Sequence, residues 1–449
     1  MWLYFIVILL MPMETHPIMS RVYLGFSVVK WVGFSALLVA FAGNLQMNRK
    51  PLLLGSMQGR LFILLFIWVV VHSLSFSGFV LLSPIQVYIS FFVFFLLTLS
   101  VVNSAERVRL LVWGIVIAMF ISSLYGIKEY LFFTRMYGGG RASGTFKDFN
   151  YFALSLVIAM PFVYYLLKTV RSELVRMSFY CVMIIYSMAL TVTFSRGAFV
   201  GIAAMILTTL VISKRKGKTL LVLVILVLVS IHFIPDELFE RFNDIKVVEK
   251  GEYISGKLAS STNRYYLLKS GMKMIIAHPF VGIGQGNFKR MSKVYEPDLP
   301  MPYIAHNNYL QIGAELGLPA LFFFMGIIFY TYRSLFRLRR QLVDDPKFAL
   351  LPTVMIVSLT GFMVTSLFLS AENTKFFWLL IFLTIALERV VREQTQLEAR
   401  EAIDVEANDL EGVSELAGSA KDSAIAGATV AETKALSTGV QGGWSGGQE

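Results

Sequence analysis

The chain has 449 residues, 56% of them hydrophobic, 14% aromatic and only 15% charged, with a formal net charge of +11. A soluble domain carries about a quarter charged residues, so this balance excludes an ordinary water-soluble fold and points to lipid as the solvent. The excess of Lys and Arg falls in short loops between apolar runs, which makes it a topology signal and gives no reason to invoke nucleic acid.

Taken in chain order, apolar runs that could cross a hydrocarbon core of ~30 Å as helices fall at 2–12, 22–42, 60–76, 79–102, 110–133, 149–167, 177–194, 197–213, 219–235, 308–332, 349–369 and 376–391. They predict an all-α polytopic membrane protein with about 12 transmembrane helices. The first run is short and lacks the basic leader and cleavage site of a secretory signal, so it reads as a retained, partial span. One set of alternating loops holds Arg49, Lys50 and Arg60; Arg107 and Arg109; Lys168, Arg171 and Arg176; the run Lys214, Arg215, Lys216 and Lys218; and Arg333, Arg337, Arg339, Arg340 and Lys347. By the positive-inside rule these loops and both termini are cytoplasmic, and the one long loop faces outward.

Four regions follow: spans one to nine over 1–235, a large outer loop with amphipathic helices over 236–306, spans ten to twelve over 307–392, and a tail over 393–449. The tail is rich in Ala, Gly, Ser, Glu and Asp and is predicted to be disordered. Cys181 is the lone cysteine and lies inside a span, so there is no disulfide framework and no cysteine metal site.

Polar density collects at the outer ends of spans, in 141–150 (RASGTFKDFN), 193–197 (TFSRG), 261–290 and 305–317 (AHNNYLQIGAELG). Arg196 sits in a tight reversal between two apolar helices. It reads either as a snorkelling interfacial arginine or as a diphosphate ligand, with Ser195 and Gly197 small enough to let another group approach. Segment 262–277 reads as an amphipathic helix capped by Thr262 or Asn263, with Leu267, Leu268, Met274 and Ile275 on one face, Arg264 in its first turn and Lys269 and Lys273 in a basic row. It either lies on the bilayer with its basic residues toward headgroups or brings Arg264 over the cavity of Arg196.

His306 opens His-Asn-Asn where the chain re-enters the membrane, as a base or as a capping histidine; Asn307 and Asn308 are candidate N-caps. Glu315 lies about two turns further on and is expected to pair with an arginine. The glycine-rich 282–287 (GIGQGN) imitates a nucleotide loop but follows a helix and His278-Pro279, not a strand, and reads as a flexible turn.

At these residues the sequence resembles the O-antigen ligase and polymerase superfamily of bacterial envelope glycosyltransferases. The resemblance is carried by 143–154 (SGTFKDFNYFAL), 193–201 (TFSRGAFVG), Asn263-Arg264 running into 277–288 (AHPFVGIGQGNF), and 305–320 (AHNNYLQIGAELGLPA). It implies a C-type glycosyltransferase-like membrane fold in the bacterial inner membrane, with its active site facing the periplasm. It implies no cofactor and no metal, an undecaprenyl-diphosphate-linked glycan as donor and the hydroxyl of lipid A–core or another glycan as acceptor. Arg196 and Arg264 would handle the diphosphate and His306 would assist the acceptor, with Asn307, Glu315 and Arg290 as supporting candidates. Anomeric inversion is expected of one direct displacement.

The ligase branch is preferred over the polymerase because of the His-Asn pair directly before the tenth span and the single dominant outer loop. From another class, a lipid-linked sugar transporter or flippase would show two related halves and mid-membrane ionisable residues. No repeat is evident, and the clearest candidates for such charges are Lys30 and, near a span end, Lys128-Glu129.

Overall fold

A computed structural model describes residues 1–14, 16, 22–23, 26–46, 55–77, 83–137, 140–213, 217, 259–299, 301–343, 345 and 348–438. The predicted span 219–235, the basic residues Lys214, Arg215, Lys216 and Lys218, and the outer loop up to residue 258 lie outside them.

The helices are α1 (Trp2–Leu10), α2 (Val28–Gln46), α3 (Met57–Ser77), α4 (Ser83–Val101), α5 (Ala105–Tyr137), α6 (Phe149–Thr169), α7 (Glu173–Thr191), α8 (Arg196–Ile212), α9 (Ala259–Ala277), α10 (Phe288–Tyr295), α11 (Asn308–Gln341), α12 (Leu351–Thr365) and α13 (Lys375–Thr438). A 3-10 turn, Ser366–Phe368, follows α12. The only sheet among the described residues is a two-residue antiparallel pair, Val22–Tyr23 with Phe26–Ser27. This pair occupies the start of the predicted span 22–42, which therefore becomes helical only at Val28.

Among the described residues six helical segments are long and apolar enough to cross a membrane: Met57–Ser75, Ala105–Phe133, Phe149–Thr169, Glu173–Thr191, Asn308–Gln341 and Leu351–Phe368. Four shorter apolar helices accompany them, within Trp2–Met13, Val28–Gly43, Ile85–Val101 and Arg196–Ile212. The all-α polytopic architecture is thus as expected, with fewer full-length spans than the twelve apolar runs suggest. Residues Met1–Arg389 form one compact unit and Val390–Glu449 a second. In the second, the helix continues to Thr438, which corrects the expectation of a disordered tail. Its many Ala and Glu residues favour helix on backbone propensity.

The core of the first unit is aromatic. Trp378 is fully buried against Phe62, 5.1 Å between ring centroids, and Phe377 stacks on Phe362 at 4.2 Å, tying α3 and α12 to α13. Small residues let α8 approach α12 closely: a side chain at Gly201 would run into Thr365 and the Gly361 carbonyl. The long helix α11 is broken at Gly317, whose φ of 82° is open to glycine and strained for other residues. At the far end of α11 the Glu388 carboxylate accepts from Arg337 Nη1 (2.9 Å), Ser334 Oγ (2.9 Å) and Gln58 Nε2 (3.1 Å).

Candidate active site

The arginine loop is held from behind. After α7 ends at Thr191 the chain reverses through Phe194, at a φ of 52°, and Ser195 is the N-cap of α8, so Arg196 opens that helix. Arg141 fixes the reversal: its Nε donates to the Thr193 carbonyl (2.8 Å) and its Nη2 to that of Phe194 (3.1 Å), with its guanidinium 3.2 Å over the Phe149 ring. Ser195 Oγ donates to Asn150 Oδ1 at 2.9 Å, and Asp148 caps α6 by accepting from the Asn150 N–H at 2.7 Å. Glu129, which the sequence offered as an intramembrane charge, accepts the N–H groups of Ser143 and Gly144, each at 2.9 Å. It therefore orders the 141–150 segment that carries Arg141.

Arg264 arrives from the outer loop. The helix α9 begins at Ala259, so Thr262 and Asn263 lie inside it instead of capping it, and Arg264 falls in its second turn. Of the predicted apolar face, Leu267 and Met274 are buried, Ile275 packs beside them and Leu268 is exposed. Ser270 Oγ donates to the Ser292 carbonyl of α10 at 2.8 Å. Gly271 is where α9 meets α11, because a Cβ there would lie 2.6 Å from Leu310 Cγ. Lys269 and Lys273 are half-exposed, and their ammonium groups meet the buried carboxylate of Glu296, the C-cap of α10, at 3.2 and 2.8 Å. Burying that carboxylate without them would be costly, which explains the basic row as a clamp between α9 and α10.

Glu315 and the glycine-rich turn explain each other. The Glu315 carboxylate accepts the N–H of Gly286 and that of Phe288, both at 2.9 Å, while its carbonyl takes the Gly284 N–H at 3.0 Å. Gly282, Gly284 and Gly286 all have positive φ, the backbone form that turns successive N–H groups toward one anion. The turn is therefore pinned, by a carboxyl group and a carbonyl that Glu315 supplies. This corrects two expectations, a flexible turn and an arginine partner for Glu315.

His306 stands at a φ of 49° directly before α11. Asn307 is the N-cap, with its Oδ1 accepting the Leu310 N–H at 2.9 Å. Asn308 is not a cap: it is buried, and its Oδ1 accepts the Ala371 N–H at 3.2 Å. Burial, then the Arg264 charge, hold His306 below the ordinary imidazole value, while Asp148 pulls the other way. Burial, then Arg196, lower the pKa of Arg264 as well. These interactions link Arg196 to Arg264, and both Arg264 and Asp148 to His306. Phe368 forms the wall: it lies 5.9 Å from the Arg264 guanidinium, and a Cβ at Gly197 would come within 3.0 Å of its own Cβ. The group that the small Gly197 admits is thus a phenyl ring.

Of the residues singled out in the sequence, Arg264 is acted on by the Arg196 charge and itself acts on His306. Arg290 is exposed on α10 and joins none of the contacts described for them. Asp148, Arg141 and Phe368 were missed as individuals, although Asp before an apolar helical run is a cap signal.

A family model described as O-antigen ligase matches residues 181–325. Over those residues, about a third of its length, the chain is similar to the O-antigen ligases. No curated protein matches it. The O-antigen ligase match spans α7 to the middle of α11 and so takes in Arg196, Arg264, His306, Asn307 and Glu315, while Asp148 and Phe368 fall outside it. In general terms this match supports a membrane-bound, ligase-type glycosyltransferase acting on a lipid-linked glycan and an acceptor.

Proposed function

We propose that the protein transfers a glycan from undecaprenyl diphosphate to a hydroxyl of lipid A–core on the periplasmic face of the inner membrane. What supports this reading is that Arg264, on the outer-loop helix, feels the Arg196 charge and itself acts on His306. Two like charges so placed suit a dianionic group between them, and planar forks that never lose their proton suit a diphosphate.

In this mechanism the acceptor oxygen forms a bond to the anomeric carbon as the bond from that carbon to the diphosphate oxygen breaks. Undecaprenyl diphosphate leaves with the bonding pair. Arg196 and Arg264 stabilise the charge that develops on it, the work that a metal ion does in other enzymes. His306 takes the hydroxyl proton. Its lowered pKa keeps it in the neutral, accepting form at physiological pH, and a positioned base is worth ~10²–10⁴ in rate. One displacement inverts the anomeric centre.

The test is transfer in vitro with purified protein, undecaprenyl-diphosphate glycan and lipid A–core, with chelator present. Glycosylated lipid A–core from wild type, and loss of about a hundredfold or more in Arg196→Ala, Arg264→Ala and His306→Ala, is the expected result. Longer lipid-linked glycans without modified lipid A–core would make the protein a polymerase. Movement of labelled donor across a vesicle bilayer without a new glycosidic bond would make it a transporter.

A further inference from the structure

Behind the Asn308–Ala371 contact lies an enclosed group of polar side chains with no role in the mechanism above. Asn308, Gln311, Ser370, Glu372 and Thr374 are all at least nine-tenths buried, with exposures of 0, 9, 4, 8 and 8%. Each has a buried polar atom without a hydrogen-bond partner: Asn308 Nδ2, Gln311 Oε1, Ser370 Oγ, Glu372 Oε2 and Thr374 Oγ1. Buried orphans on this scale call for a physical explanation.

The pair formed by Gln311 and Glu372 supplies one. Glu372 Oε1 accepts from Gln311 Nε2 at 3.5 Å and from Asn373 Nδ2 at 3.3 Å, and the two orphans are the second oxygen of the carboxyl and the amide oxygen of Gln311. Both are lone-pair acceptors when the carboxyl is ionised, so neither can satisfy the other. One proton on Glu372 Oε2 turns it into a donor and matches it to Gln311 Oε1, closing a two-bond acid–amide pair. The surroundings favour that proton. Burial first, then the Glu315 carboxylate, push the Glu372 carboxyl up to about 8. The groups coupled to Glu372 are the Glu315 carboxyl from α11 and the phenols of Tyr88 from α4 and Tyr151 from α6, and none of the three is a cation.

The position gives the pair its purpose. Ala371, the residue before Glu372, donates to Asn308 two residues after His306, and the Glu372 carbonyl accepts from Trp378 Nε1 at 2.8 Å. Tyr151, three residues beyond Asp148, donates to the Ser370 carbonyl at 2.6 Å. The 370–374 loop therefore bonds both to the turn that presents His306 and to the helix that presents Asp148. We propose that Glu372 is a neutral carboxylic acid bonded to Gln311, and that it acts as a positioning residue that fixes the His306-Asn307-Asn308 turn from behind. This rests on the glycosyl-transfer reading for its kinetic consequence but not for its chemical state.

Two measurements test it on the full-length protein in detergent. In the infrared difference between wild type and Glu372→Gln at pH 7, the expected result is the C=O stretch of a protonated carboxylic acid in wild type alone. Its absence would show an ionised Glu372 and overturn the proposal, whether or not the protein transfers a glycan. In the transfer assay, wild type should lose kcat as pH rises through about 8, where Glu372 ionises. Glu372→Gln, which keeps the amide-paired shape and cannot ionise, should abolish that alkaline loss. Glu372→Ala should lower kcat by about tenfold with the donor KM little changed, because the base is displaced and the diphosphate site is not. An alkaline loss that persists unchanged in Glu372→Gln would assign it to another group and defeat the positioning role.

Discussion

His306 is acted on by burial, by the positive Arg264 and by the negative Asp148, and the first two prevail. The sign has a direct consequence. A lowered pKa means that the neutral imidazole persists to more acid pH than in an ordinary histidine, so the acid limb of transfer should fall below pH 6.5, the unperturbed value. The chain has five histidines, so carbon-13 histidine NMR with His306→Gln for assignment can read this site alone. The expected midpoint lies below 6.5, moves up in Arg264→Gln and moves down in Asp148→Asn. A midpoint that ignores Arg264→Gln would separate His306 from the arginines and remove the main support for a common site. Arg141 acts at one remove. Its loss should free the carbonyls of Thr193 and Phe194 and weaken transfer through a displaced Arg196, with little global destabilisation, since the bonds it makes are only part-buried.

At the scale of elements, the outer-loop helices are locked to α11 by one carboxylate. Removing it in Glu315→Ala strands the N–H groups of Gly286 and Phe288, at a cost of ~1–3 kcal/mol for each buried donor left unmade. Amide exchange should therefore accelerate over 279–290 in that variant while α3 and α12 stay protected; uniform acceleration would mean that the latch does not act locally. This is also where the sequence was least legible. Arg196, Arg264 and His306 could be singled out because a charge or a base at a span end is expensive and has few uses. The Glu315 latch could not, because its partners are backbone N–H groups, which every sequence has and no side-chain pattern announces. The same holds for Lys269 and Lys273: helical spacing put them on one face, but only the approach of α10 shows that the face meets Glu296. Glu372 left a fainter trace, an acidic residue between two apolar runs, whose burial depends on how α11, α12 and α13 meet.

At the scale of the molecule, α11 joins two chemically different ends. Its 34 residues, Asn308 to Gln341, rise ~50 Å at 1.5 Å per residue, more than the ~30 Å hydrocarbon core, even with the break at Gly317. The first end carries the His306 turn and the second carries Arg337, Arg339 and Arg340, with Glu388 holding Arg337. By the positive-inside rule the second end is expected in the cytoplasm and the proposed site outside, on the side where the proposed lipid-linked donor would be presented. A Cys181→Ser background removes the lone native thiol and lets single cysteines report the orientation. Lys289→Cys on α10 and Arg340→Cys on α11 replace exposed residues. In intact spheroplasts a membrane-impermeant maleimide should label the first at once and the second only after the membrane is opened. Reversed labelling would turn the site to the cytoplasm, where a diphosphate between Arg196 and Arg264 would have to come from the inner leaflet. Labelling of both from one side would mean that α11 does not cross, and the long helix would then have to lie within one face of the bilayer.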